Sequence, residues 1–283
     1  MKIAISTDST CDLTETVISQ YGITVVPLSV LMDGKVYRDG VEMRPERIFA
    51  HVAGGGELCS TSAVNVAEYT AVFERLKKEY DVIIHINIGS GLSSCYQNAR
   101  IAAEDIPGVF VVDSMNLSTG TGYLVVMAAR MAAAGHSAEE IVRSLNALRE
   151  RMDVSFVIDK LDYIRKGGRC SAAAAFGANL LNIRPSITVK SGVLLIDRKY
   201  RGPFKQCVKK YIDERITAAG ALCDPELIFI THAACTDEVV ELARATVEGY
   251  GIFKEILVTE AGCTISSHCG PNTLGVLFAR KGE

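Results

Sequence analysis

No two cysteines in this chain have the CxxC spacing, and none stand with histidines at zinc-ligand intervals, although there are nine of them (Cys11, Cys59, Cys95, Cys170, Cys207, Cys223, Cys235, Cys263, Cys269). That leaves no zinc or dithiol motif to read, and the scattered thiols suit small core residues in a reducing compartment. Long apolar runs are also missing. The stretch after Lys2 is too short for a signal peptide, and the most hydrophobic segment, Tyr123–Ala134, carries Arg130 and falls short of a bilayer span. The expected location is therefore the cytoplasm. There is no surplus of positive charge either: a net charge of −3 gives no general attraction to nucleic acid or anionic membrane. The phosphate loop GxxxxGK[ST], the dinucleotide fingerprint GxGxxG and the nucleophile elbow GxSxG are all absent. No repeat, linker or low-complexity tract interrupts the chain.

What is there is a globular composition. With 283 residues, 48% hydrophobic and 22% charged, the chain can build one large domain or two ordinary ones around a sizeable core. Its most informative stretch is Asp81–Ala103. Val82–Ile88 is an apolar, β-branched run that predicts one buried strand, and from Ser94 the spacing of Tyr96, Ala99 and Ile101-Ala102 predicts a helix. Between them, Gly89–Ser94 is a turn with three serines and two glycines ahead of a helix N-terminus, where an anion is favoured. With hydroxyls and no lysine, it suits a carboxylate better than a polyphosphate. The same turn also suits a loop that only caps a helix.

Three similar turns recur in the first half: Thr7–Asp12 after a strand at Lys2–Ser6, Cys59–Ser62 before a helix near Asn65–Tyr80, and Asp113-Ser114 after a strand at Val109–Val112. In an open parallel α/β sheet such turns gather at the carboxyl ends of the strands, which predicts a polar cleft. Thr24–Leu31 and Lys35–Arg38 flank Asp33-Gly34, a hairpin signal, and Gly54-Gly55-Gly56 reads as a hinge. Helices are expected at Thr119–Ala134 and, with Ser137 as N-cap, at Ala138–Arg151. The βα alternation fades there, which places a domain boundary at 152/153. Beyond it come strands at Val154–Ile158, Ile187–Val189, Val193–Ile196, Leu227–Thr231, Phe253–Thr259 and Thr273–Arg280, an Ala-rich helix at Ser171–Leu181, and a helix at Asp237–Glu248. The expected fold is α/β in two domains: a mainly parallel sheet flanked by helices over 1–152, and a mixed sheet covered by helices on one face over 153–283.

Five histidines are available for chemistry. His85 lies within an apolar strand and reads as a core histidine, while His51 and His136 read as surface residues. His232 closes a strand and is placed to line the cleft. His268, in a hydroxyl-dense segment read as a loop (Ile265–Pro271), is the strongest functional candidate. A local basic surplus, Lys190, Arg198, Lys199, Arg201, Lys205, Lys209 and Lys210 against Asp197 alone, suits either a docking face for an anionic partner or a solvated helix face.

Several segments taken in order resemble the DegV family of bacterial fatty-acid-binding proteins: Thr7–Leu13, Thr61-Ser62, Ser90–Ser93 with Tyr96-Gln97, Val112–Ser114, Leu161–Arg169, Leu181–Pro185, and His268–Pro271 with Leu274-Gly275. The family's usual Thr-Ser-Gln-Pro-Ser reads Thr61–Asn65 as TSAVN here, and Asn272 stands where Gly often follows Pro271. The resemblance implies two α/β domains with a long-chain fatty acid buried between them. It implies that Thr61, Ser93 and His268 hold the carboxylate, with Ser62, Ser94, Arg169 and Ser267 lining or supporting that site. It further implies a separate fatty acid kinase subunit that makes the acyl phosphate, with Arg201 matching the arginine associated with that step. No cofactor or metal is implied, and the resemblance leaves transient membrane contact and oligomeric state open. The expected function is thus that of a carrier that presents its ligand, not an enzyme. Two other classes remain in view: a Ser93/His268 acyl hydrolase, against which the missing GxSxG argues, and a substrate-binding subunit like that of the dihydroxyacetone kinases, which would hold its substrate as a His adduct.

Overall fold

The computed structural model describes residues 2–170 and 183–282. The helix expected at Ser171–Leu181 lies outside the described residues. The first half builds a parallel sheet in the order β2-β1-β6-β7, from β1 (Ile3–Asp8), β2 (Thr24–Val26), β6 (Val82–Asn87) and β7 (Val109–Asp113). All six residues of β6 are buried, as expected of a strand covered on both faces. One layer comes from α3 (Val66–Lys77) against α4 (Cys95–Ala103). The other comes from α5 (Thr119–Ala133), packed against α1 (Glu15–Tyr21) and α6 (Ala138–Arg149). Capping boxes at Asn65/Glu68 and Ser137/Glu140 begin α3 and α6, each satisfying two backbone donors.

The hairpin at Asp33-Gly34 forms as predicted: both residues have positive φ (51° and 72°), and they join β3 (Ser29–Met32) to β4 (Lys35–Arg38). Its first arm is not continuous, however. Thr24–Val26 and Ser29–Met32 belong to different sheets, and the break falls at Pro27, which has no N–H to continue a ladder. The Ser60–Ser62 segment, read as a turn, is a strand, β5, antiparallel to β3 with Thr61 opposite Val30. Its pairing partner lies some thirty positions earlier, so nothing local announces it. Between them α2 (Pro45–Ala53) ends at the three glycines.

The second half supplies a mixed six-stranded sheet, order β10-β9-β8-β13-β11-β12. Its strands are β8 (Met152–Ile158), β9 (Ile183–Lys190), β10 (Val193–Arg201), β11 (Cys223–Ala233), β12 (Ile256–Glu260) and β13 (Thr273–Arg280). Only β11 and β12 run parallel. A short α7 (Asp162–Gly167) stops at Gly168, whose φ is 68°. One sheet face is covered by α8 (Phe204–Ala219) and α9 (Asp237–Glu248) over a core that includes Val208, Ile212, Val276 and Phe278. Helix α8 is absent from the sequence reading, although Cys207, Val208, Tyr211, Ile212 and Ile216 are buried at helical spacing. The opposite face meets α5, whose Gly120 and Gly122 allow close approach to Val154 and Leu13. Finally, Cys263–Cys269 is a helix, α10, not the loop expected. Seven residues rich in Ser, Thr and Cys carry no apolar period, and the groups that cap the helix come from far away in the chain.

Candidate functional site

Thr61, held at the edge of the small sheet by its pairing with β3, meets His268 of α10 at 2.8 Å between Oγ1 and Nε2. The His268 ring packs on Gly167, the last residue of α7; a Cβ there would sit 2.6 Å from Nδ1. Nδ1 is buried without a partner among the described residues. Burial, followed by the charge of nearby Arg169, pulls the His268 pKa down to about 4, so the ring is neutral at pH 7. Ser93 arrives from the turn after β6, where its Oγ accepts from Cys95 N (3.3 Å) and lies 3.2 Å from Cys95 Sγ. The turn itself is braced by Asp113 on Ser90 N (3.0 Å) and by Asn116 O on Gly89 N (2.7 Å). Gly91 is required there: any Cβ would lie 2.7 Å from Gly192 O at the β9–β10 turn.

These side chains mark the polar end of an otherwise apolar cavity. Its walls include Leu28, Ile88, Leu92, Leu117, Ile164 and Ile265. On one side it continues into a mouth lined by Glu57, Lys166 and Arg169, sharing Thr61 and His268. Leu117, Ile265 and Cys269 also form part of the wall of a second apolar cavity, lined further by Val154, Phe156 and Leu277. His232 lines that far cavity, as expected of a cleft residue, and burial lowers its pKa. Adjacent apolar cavities with one polar, weakly basic end have the chemistry to suit an amphiphile with a small anionic head group.

The sequence-predicted residues are not all brought together. Ser62 lines the inner cavity beside Thr61. Arg169 also lines it, donating from Nη1 to Gly167 O at 2.8 Å, with Nε 3.5 Å from Leu92 O. Ser267 lines the mouth, but its hydroxyl is spent on Cys263 O at 2.8 Å, one turn back in its own helix. Ser94 is exposed at the start of α4 and lines none of these cavities. Arg201 is exposed at the end of β10 and lines none of them either. Much of the basic surplus around it is neutralised: Arg198 and Lys210 pair with Glu214 (3.1 and 3.9 Å), Lys209 with Asp213 (2.7 Å), and Lys205 with Glu238.

Of the four hydroxyl-rich turns, the Thr61 and Ser93 segments supply the cavity's polar end. The other two face inward. Asp8 accepts from Tyr69 Oη (2.5 Å), Asn87 Nδ2 (3.0 Å) and Ile88 N (3.1 Å), and Ser114 bonds Thr121 (2.9 Å). His85 is the core histidine expected, 2.8 Å from Ser6 Oγ and 3.0 Å from Asn87 Nδ2. His136 is exposed near Glu140 (3.7 Å), whereas His51 is half-buried against Gly56. The sequence reading missed the lining residues Leu28, Leu117, Ile164 and Ile265, which as single apolar residues look like any core position.

Residues 2–281 match the family model described as "Uncharacterised protein, DegV family". The chain belongs to the DegV family. It is 36% identical over 284 residues to a DegV domain-containing protein of Caldanaerobacter subterraneus subsp. tengcongensis, covering 99% of each chain. Among solved structures it resembles a DegV family protein of Thermus thermophilus described by its fatty acid binding, at 32% identity and TM-score 0.92, over 99% of this chain and 100% of that one. It also resembles DegV of Bacillus subtilis, described as a fatty acid binding protein, at 26% identity and TM-score 0.87, over 99% of this chain and 100% of that one. The α/β architecture of this DegV member, with its parallel and mixed sheets, agrees with that likeness.

Proposed function

We propose that this DegV protein binds a long-chain fatty acid between two α/β units, residues 1–152 and 153–283, and presents the carboxylate to a kinase partner that converts it to an acyl phosphate. The observation that carries the reading is the Thr61–His268 pair at the polar end of adjacent apolar cavities. With neutral His268 donating from Nε2 to Thr61 Oγ1, the threonine hydroxyl hydrogen is left to donate to a carboxylate oxygen; the opposite tautomer would turn lone pairs toward the anion. That proton placement is assigned from hydrogen-bond chemistry. Ser93 offers a second donor, and Arg169 supplies positive charge at the mouth.

The tail supplies most of the affinity in this reading. Burying roughly fifteen methylenes at about 0.8 kcal/mol each contributes on the order of 12 kcal/mol before ordering costs. A charge-assisted hydrogen bond contributes about 1.5–3 kcal/mol, enough to orient the head group and keep a carboxylate from being buried without partners. Such a carrier needs no nucleophile of its own. In keeping with that, His268 Nε2 faces Thr61, and Ser93 has no histidine partner among the described residues. Arg201, exposed and outside the cavities, suits contact with the kinase. The test is mass spectrometry of an organic extract of protein purified from a bacterial host, where one equivalent of long-chain fatty acid is expected. An extract without lipid, together with apo protein that ignores added palmitate and oleate, overturns the reading.

A further inference from the structure

Helix α10 carries His268 near its C-terminus, yet Gly262 before it offers no side-chain cap. Its first amides are held instead by two buried carboxylates from the first half of the chain. Asp39 follows β4, and its Oδ1 accepts from Cys263 N at 2.8 Å. Its Oδ2 accepts from Thr264 N (3.1 Å), Thr264 Oγ1 (2.6 Å) and Ser9 Oγ (3.0 Å). Asp12 Oδ1 accepts from Gly262 N at 2.9 Å, and its Oδ2 accepts from Ser118 Oγ at 2.5 Å. The amide before α10 and the first two amides of the helix, Gly262 to Thr264, therefore end on two aspartates that lie side by side at Gly262. Neither lines the inner cavity.

Capping for stability alone needs one Ser, Thr or Asn; burying two neighbouring aspartate side chains is costly, and burial raises the Asp12 pKa to about 8, while six directed hydrogen bonds satisfy the pair. What that arrangement fixes, and a single local cap does not, is the rotation and depth of a seven-residue helix. A small turn of α10 about its axis would carry the His268 ring off Thr61. Asp12 also ties in Ser118, whose neighbour Leu117 lines both apolar cavities, so the same contacts hold the head-group and tail walls together.

We propose that Asp12 and Asp39 are positioning residues for the head-group site: they clamp α10 so that the Thr61–His268 pair points its hydrogen at the ligand carboxylate. The inference rests on the fatty-acid reading above. The test uses Asp39→Asn, which keeps the shape but replaces one acceptor oxygen by an amide donor, and Asp12→Asn, which leaves the Asp39 contacts in place. Two quantities are measured: the affinity ratio for palmitate over hexadecanol, and the imidazole nitrogen resonances of His268 in ligand-free protein. Asp39→Asn is expected to lower the ratio at least fivefold and shift the His268 resonances, with Asp12→Asn moving both in the same direction and serving alone if the first variant does not fold. Val247→Ala, buried in α9 away from the clamp, controls for lost stability and should move neither. If the folded variants keep the ratio within fivefold of wild type and leave the resonances unmoved, the clamp is refuted. Wild-type protein that carries no lipid and binds neither palmitate nor oleate refutes the fatty-acid reading instead, while the His268 resonances still decide the clamp.

Discussion

Thr61, Ser93 and His268 reach the cavity's polar end from three separate elements, and each makes a different kind of contact there. Replacing each with Ala should weaken palmitate binding by roughly 1–3 kcal/mol, the cost of an unmet buried polar partner, with a smaller change for hexadecanol. Titration calorimetry with both ligands checks this; equal losses for acid and alcohol would place the carboxylate elsewhere. His268 also makes a pH prediction. Its pKa is pulled from 6.5 to about 4 in the folded chain by burial and by Arg169. An unfolded histidine takes up a proton below about 6.5, whereas the folded one does so only near 4, so its contribution to stability is present above 6.5 and is lost as pH falls through that window. The stability difference between wild type and His268→Asn, from urea unfolding at several pH values, should therefore shift against wild type between pH 6.5 and 4. Taking the difference cancels Asp12, whose pKa burial raises to about 8 and whose own contribution runs the opposite way.

Among the elements, the contact of α7 with α10 sets how the histidine sits, because Gly167 leaves room for the ring. Gly167→Ala would put a methyl group 2.6 Å from His268 Nδ1, so either the ring or the end of α7 must move. We expect acid affinity to fall by about 1–3 kcal/mol through loss of the Thr61 contact, with α7 itself little affected, since Ala is a better helix former than Gly. Wild-type affinity in this variant would show that the ring has slack. The elements legible beforehand were those with a local cause. The Ser137 cap of α6, the Asp33-Gly34 hairpin and the apolar runs of β6 and β7 all lie where the chain itself calls for them. Strand β5 and helix α10 were misread because their hydrogen-bond partners, β3 and the two aspartates, are remote in sequence.

At the scale of the whole molecule, α5 packs against strands of both the parallel and the mixed sheet, and the apolar cavities are lined by residues from both halves of the chain. The face carrying Arg201 is separate from the cavities, and most lysines near it have local acidic partners. On the proposed reading, a kinase partner would then meet Arg201 more than the charge of the whole segment. Arg201→Ala should leave palmitate affinity within about twofold, yet slow acyl phosphate formation with a cognate kinase at least tenfold, consistent with loss of a bidentate contact to a partner carboxylate or phosphate. Phosphorylation at the wild-type rate would remove this arginine from that role.

By itself the sequence determined the α/β class, the order of most strands and of the helices with a clear apolar period, and a short set of hydroxyl and histidine candidates; it missed α2, α8, α10 and β5. Apolar period, turn chemistry and capping act over a few residues, so they can be read without knowing what lies across the molecule. Only the tertiary structure decided which candidates meet. Thr61 and His268 are 207 positions apart, and nothing between them states that an edge strand and a short helix will bring Oγ1 within 2.8 Å of Nε2. It likewise turned Asp8 and Ser114 into internal braces, spent Ser267 on its own helix, left Ser94 and Arg201 outside the cavities, and revealed which apolar residues line open space. The physical reason is the same throughout: a side chain's type sets which contacts it can make, whereas the packing of remote elements sets which of those contacts are within reach.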